Sequence, residues 1–222
     1  ESSAASDVYK RQDQEGGIVA RITSPATEFP GNMALGAVND PRAARAQGAV
    51  LGRELAALGI NVDFAPDVDV NTNPANPVIG VRSMGDDPVR VGVLGVEQIR
   101  GIQSRGVAAT AKHFPGHGDT QIDSHLGLPV VEYGRTTLER HLVPFRMAIS
   151  AEVDMIMTAH IIVKTLDPTM PATLSKKVLT GLLREQMGYR GIITTDALDM
   201  EGAQLAVMTE DCLLYTSPSP RD

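Results

Sequence analysis

Between residues 40 and 196 the chain runs four times through one grammar, without repeating its sequence: a helix, a break, then a short apolar strand whose end is polar. Asp40 can cap the first helix, with Pro41 at its first position; Leu51, Leu55 and Leu58 form its stripe and Gly59 ends it. Ile60 to Pro66 reads as the strand that follows. Asp87–Pro88 opens a second helix carrying Val91, Leu94, Ile99 and Ile102; Gly106 stops it, and Val107 to Ala111 is a strand. A third helix, from about Thr137 to Ser150, precedes Asp154 to His160. A fourth, capped by Ser175 and carrying Val178, Leu179, Leu182 and Leu183, stops near Gly188 and leads into Gly191 to Asp196. Helices alternating with apolar strands imply parallel strands covered by helices. Doubly wound sheets and (β/α)₈ barrels both satisfy that alternation. The polar strand ends separate them: Asp63, Lys112–His113, His160 and Asp196 would converge on one mouth in a barrel, where active sites sit, and long loops follow them. The expected fold is therefore an α/β protein of the (β/α)₈ TIM barrel type.

The two ends read differently from the interior. Asp7 to Gln12 can be encoded as GAT GTG TAT AAG AGA CAG; the reverse complement contains TGT CTC TTA TAC ACA TC, which translates as Cys212 to Ser217. Ser2 to Gln12 and Cys212 to Asp222 also resemble translated transposase adaptors from sequencing libraries. Residues 1–12 and 212–222 are thus expected to be non-native tails, with 13–211 a partial domain. Setting aside the tails and Asp211, which straddles the junction, moves the net charge from −7 to −6 and removes the single cysteine, Cys212. A disulfide scaffold and a cysteine nucleophile are excluded. No Lys/Arg-rich stretch suggests a nucleic-acid partner, and no apolar run approaches the roughly 18 residues of a membrane span.

Chemistry concentrates in the segment from Lys112 to His125, which places three of the five histidines, two aspartates and a lysine in a Gly- and Pro-rich stretch. A metal site is one reading, since His and carboxylate are common ligands; against it, the spacing matches no H-E-x-x-H pair and a lysine stands nearby. Acid/base catalysis is another: Asp123, two residues from His125, could orient the imidazole and support its protonated form. A polar surface loop is the third.

Lys112-His113-Phe114-Pro115-Gly116-His117-Gly118, followed by Asp123-Ser124-His125 and Leu128-Pro129, resembles the signature of the NagZ-like β-N-acetylglucosaminidases of glycoside hydrolase family 3. The similarity extends over nearly all of Asp13 to Ala203. Asp13 to Gly17 with Arg21, Asn61 to Pro66 with Ile79 to Ser83, and Thr195 to Ala203 look like further family segments, in family order. The resemblance implies a barrel that cleaves with retention. Asp196 would be the nucleophile, and His125, assisted by Asp123, would protonate the leaving oxygen and then activate water, in place of the usual second carboxylate. Asp13, Arg21, Arg82, Lys112 and His113 match positions that hold the N-acetyl sugar.

Other roles compete for some of these residues. Asp196 could cap the turn that follows it, and Asp199 rivals it on chemistry alone. Arg82 could be a structural ion pair, and Lys112 and His113 could brace their loop. His117 and Asp119 could do the same, while Asp63 and His160 face the mouth with no role assigned.

The resemblance implies a hydrolase acting on terminal N-acetylglucosamine of peptidoglycan-type or chito-oligosaccharide substrates by double displacement. It implies no cofactor and no metal, a small carbohydrate as partner, and a monomer at full length. The alternatives are another family 3 glycosidase, either a β-glucosidase or a phosphorylase, and a non-catalytic metal-binding module. Similar members occur in the cytoplasm and outside the cell. Because a barrel takes about 250 residues, the opening and closing units are expected to be missing, and the isolated chain to be poorly soluble and inactive.

Overall fold

The computed structural model describes residues 9–123, 127–200 and 202. Two short strands, β1 (Arg11–Gln12) and β2 (Gln14–Gly16), come first; β2 folds back on β3 (Val19–Ala20) as an antiparallel pair. Helices α1 (Asn32–Val38) and α2 (Pro41–Ala57) follow, then β4 (Val62–Asp63), α3 (Pro88–Gln103) and β5 (Ala108–Phe114). Beyond them lie β6 (Val130–Val131), α4 (Arg135–Ser150), β7 (Met155–Thr158) and β8 (Ile162–Val163), a helix over Lys177–Gln186, and β9 (Ile192–Thr195).

Five strands form one parallel sheet in the order β1-β4-β5-β7-β9. Each new strand joins the side opposite its predecessor, so the order never reverses. A doubly wound sheet has a reversal at its switch point; a barrel sector has none. The expected barrel class is thus what the chain forms, as an open parallel sector of one. Strands β6 and β8 pair separately beside it.

The helix starts follow their capping chemistry. Asp40 accepts the Arg42 N–H at 2.9 Å, and Asp87 accepts those of Val89 and Arg90, each at 2.9 Å, with proline at the first helical position in both. The fourth predicted helix differs from expectation. Ser175 does engage the Val178 N–H, at 3.3 Å, but Lys177–Gln186 is wound as a π-helix, Met187 N–H bonding to Leu182 O five residues back. Its buried residues are Val178, Leu182 and Leu183. Strand β5 runs on to Phe114, so that Lys112 and His113, expected as its polar end, lie within it.

The core lies between the sheet and its helices, with Leu94, Ile99 and Ile102 of α3, Leu142 and Phe145 of α4 and Ile156 of β7 all inaccessible. Phe114 and Phe145 meet edge to face, with centroids 5.2 Å apart. The α2–α3 contact is closer than side chains allow. A Cβ at Gly48 would overlap the Gln98 carbonyl oxygen, and one at Gly101 the Arg45 carbonyl oxygen. The contact of α3 with α4 is of another kind, Gly92 facing the flexible Met147 side chain.

Gly101→Ala is expected to destabilise the protein by about 1–3 kcal/mol through overpacking, despite alanine's better helix propensity. Gly181→Ala, at a helical glycine with nothing within 4 Å of the added carbon, should be neutral or stabilising by up to about 1 kcal/mol. Urea midpoints of the two variants decide this.

Candidate active site

Every parallel strand delivers polar groups at the same end of the sheet. Asp13 follows β1, Asp63 closes β4, Lys112 and His113 lie near the end of β5, His160 follows β7 and Asp196 follows β9. Parallel alignment is what brings residues so distant in sequence together.

Lys112 is the centre of the cluster. Its side chain is only 2% exposed, and its ammonium lies 2.7 Å from Asp13 Oδ1 and 2.8 Å from Glu15 Oε1. Glu15 also takes Arg82 as a two-point partner, with Arg82 Nη2 2.6 Å from Oε1 and Nε 3.0 Å from Oε2. Burial alone would push the Glu15 carboxyl up, but Lys112 and Arg82 hold it at about 2. Burial works against the charge on Lys112 and Arg82 too, and their carboxylate neighbours outweigh it, raising both above their ordinary values. Each ion in this lattice is tolerable only because the others are present.

His113 sits beneath them. Its Nδ1 lies 2.7 Å from Asp69 Oδ2, its Nε2 3.4 Å from Arg82 Nη2 and 3.9 Å from Asp196 Oδ2. Burial and the nearby Arg82 cation hold the imidazole well below its ordinary range, so it is neutral. Asp63 and Asp67 are also buried, and burial pushes both well above the usual carboxylate range.

Asp196 differs from these in access: its side chain is 22% exposed at the mouth. Its Oδ1 accepts the Ala197 N–H at 2.8 Å. Burial would raise its carboxyl, but Lys112 and the Ala197 N–H are among the groups that leave it below the ordinary range, and therefore ionised. An ionised, reachable carboxylate backed by a buried cation is what a nucleophile at a developing positive carbon requires.

The predicted residues divide by position. Asp13, Arg82, Lys112, His113 and Asp196 meet in this cluster. Arg21 is exposed beside the β2–β3 hairpin, where its backbone N–H bonds to Gln14 Oε1 at 2.9 Å. Asp123 is half-buried in the segment after β5, and His125 lies outside the described residues. His117 and Asp119 tie that segment down, His117 Nδ1 to Thr120 Oγ1 at 2.8 Å and Asp119 Oδ1 to Thr72 Oγ1 at 3.1 Å. His160 contacts the turn beyond Asp196, its Nε2 lying 2.9 Å from Ala197 O.

Three residues of the cluster had no role in the sequence reading: Glu15, Asp67 and Asp69. A signal for them existed. Asp13 and Glu15, and Asp67 and Asp69, are each two apart, the spacing that places side chains on one face of an extended segment. Asp67, Asp69 and His113 also carry ligand atoms within 4.8 Å of one another. Those of Asp69 and His113 are engaged in hydrogen bonds, and Arg82 Nη2 stands 3.8 Å from Asp67 Oδ2.

The sequence profile described as the Glycosyl hydrolase family 3 N terminal domain matches residues 4–215. The chain belongs to glycosyl hydrolase family 3. Within it, the chain is 48% identical over 208 residues to beta-hexosaminidase A of Pseudoalteromonas piscicida, covering 86% of this chain and 35% of that protein. The solved family 3 beta-N-acetylglucosaminidase of Paenibacillus sp. str. FPU-7 superposes with a TM-score of 0.88 at 51% identity, covering 89% of this chain and 38% of that one. NagZ of Neisseria gonorrhoeae, solved with N-trifluoroacetyl-D-glucosamine, gives 0.82 at 36% identity, covering 87% and 58%. The chain thus spans about a third to three fifths of the length of these relatives.

Removing Glu15 would leave two buried cations without their shared partner. Glu15→Gln should destabilise the protein by about 3–5 kcal/mol at pH 7. A depressed pKa adds stability that is complete above the unfolded value of 4.5 and is lost as the pH falls through about 2. The gap between wild type and variant in urea denaturation should therefore narrow over that window.

Proposed function

We propose that the chain is the catalytic barrel region, over residues 13–211, of a longer retaining β-N-acetylglucosaminidase. Its substrates would carry terminal N-acetylglucosamine, in peptidoglycan-type fragments or chito-oligosaccharides. The observation that carries the reading is the ionised, solvent-reachable Asp196 carboxylate at the end of β9, facing His113 with Lys112 behind it. The relatives from Pseudoalteromonas and Paenibacillus support it by their names, and the matched positions by their chemistry.

In this mechanism Asp196 attacks the anomeric carbon while the bond to the leaving oxygen breaks, and a proton from His125 neutralises that oxygen. The glycosyl ester on Asp196 is then opened by water, whose proton returns to the now neutral His125. Asp123 orients the imidazole and favours its charged form in the first step. Asp13, Arg82, Lys112 and His113 receive the sugar with two cations, a carboxylate and an imidazole nitrogen, a set suited to hydroxyl and amide groups. Arg21 would add a contact from the rim. The reaction requires no cofactor.

Full-length Asp196→Ala should lose roughly 10⁴-fold or more in kcat/KM on an aryl N-acetyl-β-glucosaminide; full activity in that variant overturns the mechanism. For His125→Ala the loss should depend on the leaving group. It should be roughly 10²- to 10⁴-fold for a poorly acidic phenol and much smaller for a dinitrophenol that departs without a proton. A series of aryl substrates measures that slope, and an unchanged slope removes His125 from the acid role.

A further inference from the structure

Asp69 lies wholly inside the protein in the segment after β4, and its contacts reach three parts of the site. Its Oδ2 accepts the backbone N–H of His113 at 3.2 Å and lies 2.7 Å from His113 Nδ1. Its Oδ1 accepts the backbone N–H of His117 at 2.6 Å, at the start of the segment that leads on to Asp123. Its own carbonyl oxygen accepts the Ser83 hydroxyl at 2.6 Å, next to Arg82.

These contacts bear on which nitrogen of His113 carries the proton. Nε2 faces Arg82 Nη2 at 3.4 Å, which can only donate, and Asp196 Oδ2 at 3.9 Å, which can only accept; the nearer group, within hydrogen-bond distance, asks for the lone pair. That leaves the proton on Nδ1, where a carboxylate stands ready to accept it. A charged imidazole would place an N–H against the guanidinium, which stands closer to Nε2 than the Asp196 carboxylate does.

We propose that Asp69 is a positioning residue that fixes His113 as the Nδ1–H tautomer, so that Nε2 presents an acceptor to the sugar beside Asp196, and that pins the same ring to the loop beyond β5. The effect on turnover rests on the glycosidase reading above; the tautomer does not. An acceptor at Nε2 suits a sugar hydroxyl that is itself a donor, and its place beside Asp196 puts that hydroxyl next to the reacting carbon. The wrong tautomer would offer a donor there, and would point it at Arg82.

Asp69→Asn has one oxygen and one NH₂ where the carboxylate has two oxygens. If the oxygen keeps the His117 N–H, the NH₂ meets Nδ1 and drives the proton to Nε2. If the oxygen keeps Nδ1, the NH₂ faces the His117 N–H. Nitrogen-15 NMR of histidine-labelled full-length protein reads the tautomer directly, with His113 assigned by its loss in His113→Gln. The wild type should show Nδ1–H at pH 7, and Asp69→Asn should show Nε2–H or a mixture. Asp69→Asn should also lose at least about tenfold in kcat/KM on an aryl N-acetylglucosaminide, as wrong-tautomer variants of catalytic histidines do. In a His113→Gln background the same change should cost under about threefold, because the two residues act as one unit.

A wild-type His113 found as Nε2–H or as imidazolium overturns the proposal, and that measurement needs no variant to fold. Losses from Asp69→Asn and His113→Gln that simply multiply also overturn it. If the wild type cleaves no N-acetylglucosaminide, the functional reading fails while the NMR result still decides the role of Asp69.

Discussion

A fully buried lysine is the constraint around which this end of the molecule is arranged. An ammonium taken out of water costs several kcal/mol unless anions close around it, and Lys112 has two within 2.8 Å, Asp13 and Glu15. Those carboxylates come from the first residues after β1 and from β2, about a hundred positions away in the chain. Glu15 in turn holds Arg82, from the connection between β4 and α3. One charge on β5 thereby fixes where the first strands and the β4–α3 connection must lie.

The same arrangement sets the chemical character of the mouth. Lys112 helps to leave Asp196 as an anion even though it is mostly enclosed, and burial together with the guanidinium beside His113 keeps that ring neutral. The wholly buried carboxyls of Asp63 and Asp67 are pushed the other way by burial, Asp67 even with Arg82 Nη2 3.8 Å from its Oδ2.

Much of this was legible in the amino-acid order because it depends on local rules. Asp40–Pro41 and Asp87–Pro88 announce helix starts whatever surrounds them, and a polar residue closing an apolar run is visible without a structure. The strand order, which excludes a doubly wound sheet, is a long-range property with no local signature. Glu15 and Asp69 were overlooked for a related reason: each matters through a partner far away in the chain, Lys112 in one case and His113 in the other. The π-winding of Lys177–Gln186 was missed because the stripe Val178, Leu179, Leu182 and Leu183 has the three-and-four spacing of an α-helix. Arg21 illustrates the reverse case, since a motif match said nothing of which way its side chain would lie.

The glycine seam between α2 and α3 carries a consequence for recombination. Where backbone meets backbone, the two helices fit only partners with glycine at the same register, so α2 through α3 is a piece that must be inherited whole. The α3–α4 boundary, where Gly92 meets a methionine able to change rotamer, tolerates a foreign neighbour far better. Chimeras between this chain and its family relatives should accept a junction between α3 and β5 and reject one between α2 and β4, although both cut the same kind of loop.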